Sequence, residues 1–80
     1  MTISNFNKNT HPSFTIINIS YLILLLLKEN IIMPYPNLLA GVEKETGSDA
    51  ALVFPYAISF LYGLNKIEYL AEIDSFKVIL

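Results

Sequence analysis

The sequence predicts a small α+β domain with three helices, a short strand after the first of them, and a hairpin at the C-terminal end. Three observations predict it. Residues 14–27 and 50–64 are apolar almost throughout and too long for ordinary strands. Between them, Leu38, Leu39, Val42 and Thr46 recur at helical spacing. After them, residues 67–80 alternate apolar and polar side chains around a polar turn.

Residues 1–13 (MTISNFNKNTHPS) are rich in Asn, Ser and Thr, include Pro12, and lack apolar periodicity, so they read as a flexible lead-in to a domain spanning 14–80. The run FTIINISYLILLLL (14–27) is the most hydrophobic stretch, broken by Asn18 and Ser20 and closed by Lys28, Glu29 and Asn30. A transmembrane helix needs about 20 apolar residues, and this run has 14. A signal peptide would need a basic start and a small-residue cleavage site, whereas KENIIMPYP follows the run. A helix that is apolar nearly all round but too short to span is expected to be buried on more than one face, in a core and in an interface.

Residues 31–33 form a short β-prone segment bounded by Asn30 and Pro34. Pro36 suits the first turn of a second helix, and Gly47 ends it, with Asn37, Glu43, Lys44 and Glu45 facing out. Ser48 and Asp49 are N-cap types ahead of AALVFPYAISFLYGL (50–64). Pro55 removes a helical hydrogen bond, which predicts a start near Phe54 or a bend there, and Asn65 supplies the left-handed residue that stops the helix. In the hairpin, Ile67 and Tyr69 are expected to face the core from one strand and Phe76, Val78 and Leu80 from the other, with Glu68 and Lys77 outward. The order helix, short strand, helix, helix, hairpin is that of a winged helix-turn-helix domain.

The composition asks for a partner. Hydrophobic residues make up 54% of the 80 residues and charged residues 15%, against roughly 45–50% and about 25% in soluble domains. A chain of this length has room for one modest core, so part of the apolar surplus stays at the surface unless another protein covers it. The net charge is −2 and the five basic residues are all lysines, with no arginine to grip phosphate or base edges. The third helix, which in a helix-turn-helix reads the major groove, has no basic or amide side chain, and the expected wing tip carries Glu72 and Asp74. Direct nucleic-acid binding and membrane insertion are therefore both disfavoured. Cysteine is absent, which excludes disulfides and thiolate chemistry and fits a cytoplasmic protein.

With Ala57, Ile58, Leu61 and Leu64 inward, helical spacing turns Leu52, Tyr56, Ser59 and Gly63 outward, flanked by Phe60 and Tyr62. Aromatic anchors separated by small residues are what interface centres favour. We therefore expect partner contact at Tyr56, Ser59, Phe60, Tyr62 and Gly63, with Tyr21, Leu22 and Leu25 of the leucine-rich first helix as a second surface. The contacted molecule is another protein or a second copy of the chain. No catalytic, metal or cofactor site is expected. His11 is the sole histidine, Glu43 and Glu45 diverge on their helix, and Gly41, Gly47 and Gly63 are isolated rather than a phosphate loop.

Three segments carry a resemblance: YLILLLLKEN (21–30), FPYAISFLYGLNKIEY (54–69) and DSFKVI (74–79). Together they resemble the small middle components of bacterial ABC-three-component systems, in which a leucine-rich helix, a helix-to-strand junction and an acidic hairpin follow one another. Asn65 stands where glycine is usual, a change the left-handed position tolerates. The resemblance implies a non-enzymatic adaptor between an SMC- or RecN-like ABC ATPase and an effector, serving conflict or antiviral defence, with no catalytic residue or cofactor of its own. Two other functions share parts of the sequence logic. A DNA-binding winged-helix regulator would show salt-sensitive duplex binding, and a membrane-anchored protein held through residues 14–27 would need detergent for extraction.

Overall fold

The computed structural model describes residues 15–79. The expected lead-in, with His11, together with Phe14 and Leu80, lies outside the described residues. The chain runs α1 (Ile16–Asn30), β1 (Ile32–Pro34), α2 (Tyr35–Thr46), α3 (Ala50–Gly63), β2 (Ile67–Leu70), a 3-10 turn (Ala71–Ile73) and β3 (Ser75–Val78). Three helices and a three-stranded antiparallel sheet make it α+β, compatible with the winged helix-turn-helix order.

Thr15 starts α1 by accepting the Asn18 N–H on its hydroxyl at 3.1 Å, satisfying one of the donors a helix start leaves without a partner. Ile19, Ile23 and Leu27, four residues apart, form its fully buried stripe, while Leu22, Leu24 and Leu26 pack against the core from its edges. The helix ends where the Ile31 N–H donates to the Leu27 carbonyl at 2.8 Å. Ile31 has φ of 68°, in the region that costs a β-branched side chain most.

Leu38 and Val42 bury α2, and Gly47, at φ 121°, ends it by donating its N–H to the Glu43 carbonyl at 2.7 Å. Gly41 lets α2 approach α1 closely, since a Cβ there would meet Leu26 Cδ1 at 3.0 Å.

For α3 the sequence allowed a start near Phe54 or a bend there. The helix begins at Ala50, so the later start is not taken, and Pro55 sits exposed inside it. Ala50 and Phe54 are both fully buried, so core packing fixes the first turn and outweighs the proline's lost hydrogen bond. Asp49 makes no side-chain cap. Instead the N–H groups of Ala50, Ala51 and Leu52 donate to the carbonyls of Gly47, Ser48 and Asp49 at 3.0–3.2 Å. At the other end, the N–H of Asn65 donates to Tyr62 O and that of Lys66 to Leu61 O, at 3.0 and 2.9 Å, with Asn65 at φ 62°. This is a Schellman stop, with asparagine in the left-handed place as expected. Leu64, expected inward, is exposed, because the stop turns the chain away from the core one residue after the helix ends.

In the sheet, β3 lies between β1 and β2. Met33 pairs with Phe76 on one side, and Ile67 with Val78, Glu68 with Lys77 and Tyr69 with Phe76 on the other. Ile67 and Phe76 close the core that α1, α2 and α3 share, and Val78 packs against it. Tyr69, expected in the core, keeps 42% of its surface exposed. It occupies the correct face of β2, but the core ends at Phe76 and a groove separates the outer end of the hairpin from α3.

Candidate functional site: an uncharged aromatic helix face and an adjoining groove

The inward side of α3 is carried by small and large residues in turn, Ala50, Phe54, Ala57 and Leu61. Both alanines are fully buried, as is Phe54, its ring edge-on to Tyr35 at 5.1 Å and 88°. Val53 and Ile58 flank that side, half-buried against the core, and the opposite side faces outward. Leu52 is 74% exposed, Tyr56 67%, Tyr62 60% and Phe60 39%, and Ser59 and Gly63 are exposed between them. Nothing lies within 4 Å of where a Gly63 Cβ would stand, so the glycine leaves open space at the C-terminal end of the stripe. No residue of α3 is charged. All five expected residues of this helix therefore lie together on one open face.

On α1, Tyr21 and Leu25 are exposed, but Leu22 is half-buried and packs against the core. The α1 face is consequently narrower than that of α3. Ser20, which interrupts the apolar run, is buried, and its hydroxyl has no hydrogen-bond partner among the described residues.

Sequence reasoning missed a groove of about 400 Å³ between the C-terminal half of α3 and the hairpin. Its walls are Ile58 and Tyr62 from α3, Tyr35 from α2, and Tyr69, Asp74 and Phe76 from the hairpin, with Ser59 at its edge. The rings form a connected set: Phe76 lies 5.1 Å from Tyr69 and 6.0 Å from Tyr35, each tilted by 46°. Asp74 is held from three directions. Its N–H donates to Ala71 O at 3.3 Å, its carbonyl accepts the Tyr35 N–H at 3.2 Å, and Oδ1 accepts the Tyr69 hydroxyl at 2.5 Å. Its backbone is left-handed, at φ 47° and ψ 52°, a conformation that aspartate tolerates better than most residues. The hydrogen bond to Asp74 raises the Tyr69 phenol above its ordinary pKa of 10.0, with smaller contributions from burial and from the nearby carboxylate charge. The tyrosines and the acidic turn were visible in the sequence, but which rings meet depends on the tilt of the hairpin against α3.

The structure is a small α+β domain that presents an open, uncharged aromatic face on one helix. The family model "ABC-three component (ABC-3C) system Middle Component 8", MC8, matches residues 31–79, more than half of the chain. The chain belongs to this family of middle components. The match runs from the residue after α1 to one residue past β3 and leaves α1 outside it. No curated protein and no solved structure matches the chain. A middle component of such a system has protein partners. No helix among the described residues is long and apolar enough to cross a membrane. The 15 residues of α1 span about 22 Å, against about 30 Å of bilayer hydrocarbon.

Proposed function

We propose that the chain is a non-enzymatic cytoplasmic adaptor that links the ABC ATPase of its system, SMC- or RecN-like, to an effector protein in conflict or antiviral defence. The observation carrying this reading is the open face of α3, where Tyr56, Phe60 and Tyr62 surround Ser59 and Gly63 with no charge on the helix. Large aromatic side chains in a water-exposed stripe are costly for a free monomer and valuable at the centre of a contact. Tyr21 and Leu25 of α1, with only the outer part of the half-buried Leu22 between them, supply the second surface, so the two partners engage different helices. Membership of a middle-component family supports the adaptor role, and the absence of basic and amide side chains from α3 argues against groove reading of DNA.

The test is co-expression of the ATPase and effector components of the same system with and without this chain, with an affinity tag on the effector. The ATPase is expected to be recovered with the effector only when the chain is present, and sedimentation of the complex gives the number of copies. Equal recovery without the chain would refute the adaptor role.

A further inference from the structure

We infer that the groove between α3 and the hairpin takes the guanidinium of an arginine side chain presented by a partner protein. It offers aromatic walls on several sides, from Tyr35, Tyr62, Tyr69 and Phe76, and one fixed carboxylate, Asp74. Aromatic faces attract cations through their ring quadrupole, and a planar guanidinium both stacks on rings and pairs with a carboxylate in a fork. The carboxylate is ready for this. Among the described residues, the Tyr69 hydroxyl is its sole side-chain partner, Oδ2 is not engaged, and no lysine pairs with it. Three hydrogen bonds hold Asp74 in place before any ligand arrives, so little ordering remains to oppose binding. No basic residue lines the groove, and Glu72 lies two residues from Asp74 on the same turn.

The source of the cation follows from composition. The 80 residues contain no arginine, so a second copy of the chain cannot supply a guanidinium, and the occupant belongs to a different protein. The inference rests on the reading of α3 as a partner face, since Ser59 and Tyr62 belong to both, but the binding test below reads the groove alone.

The test uses the full chain, isotope-labelled, titrated with N-acetyl-arginine amide and, separately, with the neutral isostere N-acetyl-citrulline amide while ring and amide resonances are followed. Saturable shifts are expected at the rings of Tyr35, Tyr62, Tyr69 and Phe76 and at the Asp74 amide, with a Kd on the order of millimolar, as suits one side chain. Citrulline should produce none of them. Asp74→Asn should weaken arginine binding about tenfold, the loss of one charge-assisted pair. Asparagine tolerates the left-handed backbone, and its amide oxygen still accepts from Tyr69, so the variant should fold and keep the parent's amide spectrum away from the groove. Shifts scattered over the surface, equal response to citrulline, or unchanged affinity in Asp74→Asn would each overturn the inference. If the groove fails and the co-expression result stands, the adaptor reading survives without its arginine. If arginine binds but the ATPase and effector associate without the chain, the groove survives and the adaptor reading falls.

Discussion

Replacing Tyr56 with serine should separate binding from folding, because Tyr56 lies two residues from Phe54 on the opposite side of the same helix. A tyrosine presents roughly 150–250 Å² for burial. With Tyr56 67% exposed in the free chain, about 100–170 Å² is left for a partner to cover, worth up to about 2–4 kcal/mol at 25 cal/mol per Å². That corresponds to a loss of roughly 30- to 1,000-fold in affinity, within the range of a hot-spot residue. The third already covered limits the folding cost to about 1–2 kcal/mol, an upper bound because unfolded chains also bury some of this surface. The two quantities are measured separately, the first by calorimetric titration of the chain against whichever partner the co-expression recovers, the second by urea denaturation of the isolated chain. A change in affinity below about threefold, with the fold intact, would refute the assignment of this face as the contact centre. A loss of folding stability above about 3 kcal/mol would refute the claim that Tyr56 stands outside the core.

Three other outcomes are expected. Phe54→Ala should cost about 3–5 kcal/mol in urea denaturation, because the ring is fully buried and edge-on to Tyr35; a cost below about 1.5 kcal/mol would mean the core is not packed around it. Ser20→Ala should stabilise by about 1 kcal/mol, since it removes a buried hydroxyl with no partner among the described residues; destabilisation would reveal a hydrogen bond to that hydroxyl. The Tyr69 phenol should ionise above 10.0 in the folded protein. Because its folded pKa is raised, the stabilisation from its bond to Asp74 is complete below the unfolded pKa and is lost as pH rises through the folded value. The difference in phenolate absorbance between the parent and Tyr69→Phe reads that ionisation, and a midpoint at or below 10.0 would contradict the Asp74 contact.

The local devices of this fold were legible because each rests on residue chemistry that acts over a few positions. Asn65 at the stop of α3 and Gly47 at the end of α2 answered to positive-φ backbone that few other residues adopt, and the 67–70 strand answered to its alternating pattern. The outward stripe of α3 was also legible, since helical spacing alone places Tyr56, Ser59 and Gly63 opposite Ala57 and Leu61. Where the sequence misled, tertiary packing had overruled a local preference. Pro55 allowed a later start to α3 or a bend; the later start is not taken, because burial of Ala50 and Phe54 holds the first turn in the helix. Asp49 looked like a side-chain cap, but backbone carbonyls of the preceding turn take that role. Strand alternation placed Tyr69 on the core face without saying where the core stops.

The sequence by itself determined the element order, the α+β class, and the apolar surplus with its low share of charged residues. Those follow from periodicity and composition, which do not depend on how elements are arranged in space. Only the tertiary structure decided that β3 lies between β1 and β2, that Leu22 packs inward while Tyr21 stays out, and that four rings and the Asp74 carboxylate converge on one groove. Contacts between residues as far apart as Tyr35 and Phe76 arise from the packing of helices against the sheet, and no local pattern of residues encodes that geometry.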